Sequence, residues 1–333
     1  VEDKAAKTLI QPPEAPVMVR VEGLSKHFGR LTAVDGLSFS IRQGEIVGFL
    51  GPNGAGKTTA IRVLTGFFPP SAGKVFIGEQ DLFKNPGLIK RRIGYLPESV
   101  CFYDDMQVFE FLNFVATVKA VPRKKRRTHV EEKMDRCGLW NVRSRLIGQL
   151  SKGYRQRTGL AQALIGDPEV LFLDEPTNGL DPKQIIEIRS LIRELGRNST
   201  LILCTHILPE VSMVCERVLI MNHGKLVASG TTEELEASLH DQQEIYVTMG
   251  DRHRGSEGLE ILKALPGAKD VKVVQEKNDQ VFFSLLVSKG QDPRPEISRR
   301  FVERHLPLLE MRSARLSLEE IFMKIVIKEE GLN

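Results

Sequence analysis

The sequence predicts an α/β chain built on a largely parallel β-sheet, with an inserted helical subdomain and a small α+β domain of ferredoxin-like order at its C-terminal side. Three observations carry this expectation. Short β-branched runs alternate with helix-length amphipathic segments from about Met18 onward; the strands stop between Tyr103 and Gly148; and after Leu239 the order becomes strand, helix, strand, strand, helix, strand. In chain order, residues 1–16 mix charges with Pro12, Pro13 and Pro16, lack the apolar core of a signal peptide and read as a flexible leader. A strand at 46–50 is followed by a helix at 57–65, and a strand at 170–173 by a helix at 182–195. Between them, helical patterns at 107–119 and 124–137, separated by Pro122, form the insert, placed at about 99–150. The large domain is expected over 17–240 and the accessory domain over 241–333. In the latter, strands are expected at 244–249, 271–275, 281–287 and 308–312, helices at 257–264 and 296–303, and a closing helix at 317–327.

A chain of 333 residues with 41% hydrophobic and 27% charged side chains suits one large and one smaller globular domain and excludes disorder and collagen. Residues 1–240 hold 32 Lys and Arg against 27 Asp and Glu, and residues 241–333 hold 15 against 16. Neither half has the basic surplus of a protein that lives on phosphate backbones, so no nucleic-acid partner is expected. No apolar run approaches the roughly 18–20 residues that cross a bilayer, and the chain reads as cytosolic. Cys101, Cys137, Cys204 and Cys215 lack metal-ligand spacing and read as mostly buried thiols.

The chemistry concentrates in a few strings. Gly51, Pro52, Asn53, Gly54, Ala55, Gly56, Lys57 and Thr58 fit Gly-x-x-x-x-Gly-Lys-[Ser/Thr] between an apolar run and a helix, with Thr59 next in line. Glycines let backbone N–H groups curl around phosphate oxygens, and the helix N-terminus adds partial positive charge. Lys57 would neutralise the terminal phosphates and Thr58 would offer a hydroxyl to Mg²⁺. The apolar strand ending at Leu173 delivers Asp174 and Glu175 where ligands bind in parallel α/β sheets, one carboxylate for a metal and the next for water.

Leu150-Ser151-Lys152-Gly153-Tyr154-Arg155-Gln156 then resembles the signature sequence of ABC-transporter ATPases, Asn178-Gly179-Leu180-Asp181 their D-loop, and Thr205-His206 their switch histidine. The resemblance spans about residues 18–240 and implies a P-loop NTPase fold that binds ATP and Mg²⁺. It further implies that two such domains pair head to tail, with ATP between the P-loop of one and the signature of the other. Ser151 and the Gly153 backbone would thus reach the γ-phosphate across the dimer. Glu175 would act as general base, His206 would hold the γ-phosphate and position water, Asp181 would couple the two sites, and Phe28 would stack on adenine, its other reading being a core aromatic at a strand end. The metal would be held by Thr58, Asp174 and Glu98.

Two motifs depart from the family pattern. Glu98 stands where the family has a Q-loop Gln, which preserves a hard oxygen for Mg²⁺ but adds a carboxylate facing triphosphate. Lys152 and Tyr154 replace the common Gly and Gln of the signature. Together with Leu96-Pro97-Glu98 and the closing Ser317-Leu318-Glu319-Glu320-Ile321-Phe322, these strings resemble the ABC-2-type exporter branch, including drug and gliding-motility exporters. That resemblance implies an ATP-hydrolysing subunit, a homodimer or paired with a similar ATPase. It would be peripheral to the cytoplasmic face of the cell membrane beneath separately encoded transmembrane permease subunits. The accessory domain is placed to regulate or strengthen dimerisation.

Phe102, Tyr103, Phe109, Phe111 and Phe114 divide between a groove for a membrane partner's helix and the core of the insert. The basic run 123–127 reads first as a solvated face and second as a contact for acidic headgroups. Among the histidines only His206 carries a chemical assignment. The alternative function is a soluble ABC-type ATPase that remodels nucleic acid, ribosomes or protein complexes. Only 94 positions separate Lys57 from Ser151, too few for the long coiled coils of chromosome-type relatives, and the chain has one cassette where translation-type relatives have two.

Overall fold

The computed structural model describes residues 15–196, 199–239, 242–288, 292–313 and 318–329. The chain divides into two compact units at Thr231/Thr232. The first contains β1 (Val17–Phe28), β2 (Leu31–Arg42), β3 (Ile46–Leu50), α1 (Lys57–Leu64), β4 (Ala72–Ile77), β5 (Gln80–Asp81), α2 (Pro86–Ile89), β6 (Ile93–Leu96), α3 (Val108–Val118) and α4 (Arg123–Arg136). It continues through α5 (Lys152–Leu164), β7 (Val170–Asp174), α6 (Pro182–Gly196), β8 (Thr200–Cys204), α7 (Leu208–Val214), β9 (Arg217–Asn222) and β10 (Lys225–Gly230).

These strands form two sheets. One has the order β10-β9-β3-β8-β7-β6, parallel from β9 to β6 with β10 antiparallel at the edge. The expected parallel sheet is therefore present. The second sheet, β2-β1-β4-β5, is antiparallel throughout and was not expected from the alternation of strands and helices. Its long strands β1 and β2 are mostly polar or exposed along one face, so their period-2 pattern is diluted by register shifts at several points.

Every residue of β3, β7 and β8 is buried, as a strand covered on both faces requires. The faces alternate residue by residue. Val170 and Phe172 of β7, with Ile202 and Cys204 of β8, join the core formed with α1 and the antiparallel sheet; Leu171 and Leu173, with Leu201 and Leu203, join the core shared with α3, α4, α5 and α6. The sheet is thus held rigidly from both sides, and the loops at its carboxyl edge project from a fixed platform.

The helical insert is made of α3 and α4. In α3 Val108, Phe111, Leu112 and Ala116 are buried at helical spacing, and Gln107 with Glu110 closes a capping box at its start. Of the five clustered aromatics, Phe111 is buried while Tyr103 and Phe114 are exposed and touch each other at 5.8 Å between ring centres. Arg123, Lys124 and Lys125 lie exposed on the first turn of α4.

The second unit contains α8 (Thr232–Leu239), β11 (Gln242–Gly250), α9 (Gly255–Lys263), β12 (Ala268–Lys277), β13 (Gln280–Ser288), α10 (Arg294–Glu303), β14 (Leu308–Ser313) and α11 (Leu318–Glu329). Its antiparallel sheet has the order β12-β13-β11-β14, connected as strand-helix-strand-strand-helix-strand. Alternate residues of β13, from Val281 to Val287, are buried against α9 and α10. The unit begins earlier than the expected residue 241, because α8 packs against α11 and so belongs with it.

Most of the leader, along with His240 and Ser317, lies outside the described residues. Cys137 and Cys204 are buried and Cys215 partly so, whereas Cys101 is exposed in the loop before α3. Among the described residues no helix is long and apolar enough to cross a membrane.

Candidate active site

The order β3, β8, β7, β6 places four neighbouring parallel strands so that their carboxyl ends share one edge, where α/β sheets bind ligands. β3 runs into the P-loop and α1, β8 into Thr205 and His206, β7 ends at Asp174 beside Glu175, and β6 leads to Glu98. Residues from distant stretches therefore meet around a cavity of about 730 Å³. Asn53, Gly54, Gly56, Lys57, Thr58 and Thr59 line it, and Glu98, Glu175, Asn178 and His206 complete it. Gly51, Pro52 and Ala55 belong to the same loop without lining the cavity.

The loop's geometry demands its glycines. Gly56 has φ +94°, and a Cβ there would collide with the Ala33 carbonyl oxygen; Gly51 packs so closely that a Cβ would stand 2.5 Å from the Met221 carbonyl oxygen. Lys57 is 8% exposed, and its Nζ donates to the carbonyls of Gly51 at 2.7 Å and Pro52 at 3.0 Å. The ammonium thus already rests at the centre of the loop, where phosphate oxygens would compete with those carbonyls for its protons.

Glu175 adopts φ +49°, a conformation uncommon for a side chain with a Cβ and one that clusters at functional sites. Its backbone N–H donates to the Cys204 carbonyl at 2.8 Å. Its Oε1 accepts from the His206 N–H at 3.0 Å and lies 2.7 Å from His206 Nδ1, while Oε2 accepts from the Thr205 hydroxyl at 3.1 Å. His206 is half-exposed to the cavity.

Asp174 is 1% exposed, and neither carboxylate oxygen has a hydrogen-bond partner of good geometry. Burial pushes its carboxyl above the ordinary range; the Cys204 thiol opposes this, while Glu175 and Glu98 add to it. Burial, with Asp174 as the next cause, also pushes the Tyr95 hydroxyl up to about 12. The orphaned Asp174 carboxylate, whose charge Glu98 feels, and the Thr58 hydroxyl, which lines the cavity with Glu98, are hard oxygen donors of the kind Mg²⁺ takes, so these three residues fit it by their chemistry. Among the described residues no group of three His, Cys, Asp or Glu side chains is close enough to hold a metal by itself. Mg²⁺ suits such a site, because it takes one or two carboxylates and leaves its other positions to substrate phosphates.

Removing the Asp174 charge should therefore stabilise the ligand-free protein. A raised folded pKa means the folded state holds the proton more tightly than the unfolded state. Stability from this group is present below the ordinary carboxylate pKa and is lost as pH rises through the folded value. Asp174→Asn is expected to raise Tm at pH 7 by roughly a few °C while abolishing any Mg²⁺-dependent increase in ATP affinity. A lower Tm in calorimetry, or an unchanged Mg²⁺ response, would contradict the assignment.

A family model described as ABC transporter matches residues 34–178. The bacitracin transport ATP-binding protein BcrA of Bacillus licheniformis is 34% identical over 93% of this chain and 97% of its own length. The chain belongs to the ABC transporter ATP-binding proteins. The daunorubicin/doxorubicin resistance ATP-binding protein DrrA of Streptomyces peucetius is 31% identical over 95% of this chain and 93% of its own. Among solved structures, an ATP-binding subunit of an ABC transporter matches 66% of this chain and 92% of its own, with 26% identity and TM-score 0.62. The cbiO1 protein of Clostridium perfringens matches with 28% identity and TM-score 0.60, covering 67% of this chain and 91% of that one. The protein is therefore an ATP-binding domain of the ABC ATPase type.

Three signature and D-loop residues of this ABC ATPase stand apart from the cavity. Ser151 is exposed and caps α5, its Oγ accepting from the Tyr154 N–H at 3.5 Å. Gly153 is buried, and a Cβ there would meet the tip of the Gln184 side chain at 2.7 Å. Asp181 is exposed and accepts from the Gln184 N–H at 2.9 Å, capping α6. Phe28 does not line the cavity either. Its ring is 43% exposed and meets Phe68 edge-on at 5.6 Å, but it ends the hairpin whose other arm, through Leu31, Thr32 and Ala33, forms one wall.

Sequence reasoning missed that wall and also His223 and Gly224. Gly224 accepts from the Asp35 N–H at 2.9 Å and donates to the Ala55 carbonyl at 3.0 Å, tying the β9–β10 turn to the P-loop. No motif spacing marks these residues, because their role follows from strand adjacency. Glu98 was placed on the metal, and here its Oε1 also accepts from the Asn178 amide at 3.3 Å, linking the segment after β6 to the D-loop.

Proposed function

We propose that this chain hydrolyses ATP to power an ABC-2-type exporter, acting as a homodimer or with a similar subunit. It would lie at the cytoplasmic face of the membrane beneath separately encoded transmembrane subunits. The observation that carries the reading is the division of the phosphate chemistry. Lys57, Glu175 and His206 converge on one cavity, while Ser151 and Asp181 stand outside it and exposed, leaving part of the cradle to be supplied by a second copy. The transport and drug-resistance names of the relatives that match nearly the whole chain support export as the use of that hydrolysis.

The chain's own residues give a simple sequence of events. P-loop N–H groups and Lys57 bind the terminal phosphates, and α1 directs its N-terminus at them. His206, its Nδ1 engaged by Glu175, presents Nε2 to the γ-phosphate, and Glu175 accepts the proton of the attacking water. Mg²⁺ held by Thr58, Asp174 and Glu98 would neutralise phosphate charge when bound. Closure of the dimer on ATP and its release after hydrolysis would move the partner. Exposed Tyr103 and Phe114 beside the loop after β6 offer an apolar seat for a helix of the membrane subunit.

The test is purification of the Glu175→Gln protein from gently solubilised cells with MgATP, with mass spectrometry of its stoichiometric partners. A multi-span membrane protein is expected. Recovery of ribosomal, DNA-bound or solely soluble partners would replace export with the remodelling function.

A further inference from the structure

Behind Glu175 lies a second buried carboxylate to which the hydrolysis reading gives no role. Glu210, in the first turn of α7, is 1% exposed. Its Oε1 accepts from the Thr177 hydroxyl, and its Oε2 stands 3.3 Å from the Thr205 hydroxyl, whose single proton lies between Glu210 and Glu175. The same Thr205 hydroxyl stands 3.1 Å from Glu175 Oε2 and accepts from the Ile207 N–H at 3.1 Å. The Arg189 guanidinium of α6 stands 4.0 Å from it. Burial raises the Glu210 pKa, opposed by Thr177, Arg189 and Thr205.

A charge in such a place is not explained by stability, since a well-packed apolar residue of similar volume is often as good or better. What an apolar residue could not do is join three segments that ATP hydrolysis needs in register. Through Thr177 Glu210 holds the root of the segment from Glu175 to Asp181; through Thr205 it holds the loop after β8 that carries His206; and through that same hydroxyl it reaches Glu175. Glu175 itself needs this restraint, because its positive φ persists only where the surroundings over-determine it.

We propose that Glu210 is a positioning residue for hydrolysis: it fixes the Thr205 hydroxyl so that Glu175 is aimed at the attacking water, and it ties that aim to the placement of the D-loop through Thr177. The proposal rests on Glu175 being the general base. Glu210 is buried and does not line the cavity, and it acts only through the two threonines.

The experiment compares kcat, KM and MgATP affinity for Glu210→Gln, Thr205→Val, Thr205→Ser and the Glu210→Gln/Thr205→Val double variant. A misaimed base is expected to lower kcat roughly tenfold to a hundredfold with nucleotide affinity and KM unchanged. Thr205→Ser, which keeps the hydroxyl, is expected to retain activity. The double variant should be no worse than the worse single one, since both break one chain of contacts. Wild-type kcat in Glu210→Gln and Thr205→Val, losses that multiply, or a Thr205→Ser as slow as Thr205→Val would each overturn the proposal. If Glu210→Gln does not fold, the valine and serine pair at 205 decides alone. Inactive Glu175→Gln beside wild-type Glu210→Gln removes only this proposal, whereas undiminished turnover by Glu175→Gln removes the base assignment as well.

Discussion

Lys57→Ala is expected to abolish tight MgATP binding. The Lys57 ammonium is the buried cation of the cavity floor, 8% exposed and held by two P-loop carbonyls at 2.7 and 3.0 Å. Truncating one partner of a buried, hydrogen-bonded charge pair costs about 2–5 kcal/mol. That corresponds to a Kd roughly 30-fold to several thousand-fold weaker. The substitution also leaves the Gly51 and Pro52 carbonyls without their donor, so the loop loses the brace that shapes it before nucleotide arrives. Titration with a fluorescent ATP analogue reads the effect directly. Retained affinity would mean that the triphosphate lies elsewhere, and the assignment of the whole loop would fall with it.

Glu175→Gln is expected to separate binding from turnover. Glutamine is nearly isosteric, and its carbonyl oxygen can still accept from the His206 N–H that Glu175 Oε1 meets at 3.0 Å. It cannot take a proton from water. Loss of a positioned general base lowers the rate by about 10²–10⁴-fold, so phosphate release should fall by that order while ATP affinity stays near wild type. With hydrolysis blocked, the ATP-closed dimer should accumulate, visible as a doubled mass in size-exclusion chromatography with MgATP and absent without it. Undiminished phosphate release would exclude Glu175 as the base. A monomer that stays monomeric with ATP bound would argue that Ser151 and Asp181 do not meet a second cavity.

Several features were legible because the chemistry itself is local. A phosphate cradle must be built from consecutive backbone N–H groups, so Gly51 to Thr58 announce it in one string, and the parallel-sheet rule places Asp174 and Glu175 from the apolar strand before them. Helix spans in the insert were legible within a residue or so, because α3 buries a clean helical stripe and Pro122 separates it from α4. The antiparallel sheet was not, since bulges break the alternation of β1 against β2. Nor was the edge of the second unit, because whether α8 belongs to one unit or the other depends on its packing against α11 and not on its own periodicity.

By itself, then, the sequence determined the family, because the strings that mark it, Gly51 to Thr58, Asp174 with Glu175, and Thr205 with His206, are written in contiguous residues whose spacing the chemistry dictates. Tertiary structure alone decided which strands are neighbours, and with that everything contributed by residues far apart in the chain. It brought Ala33 and Gly224 against the P-loop, left both oxygens of Asp174 buried and unpaired, and set Glu210 behind Glu175 through one shared hydroxyl. Such contacts carry no local signature, since strand order and helix packing are settled by the burial of whole faces against one another.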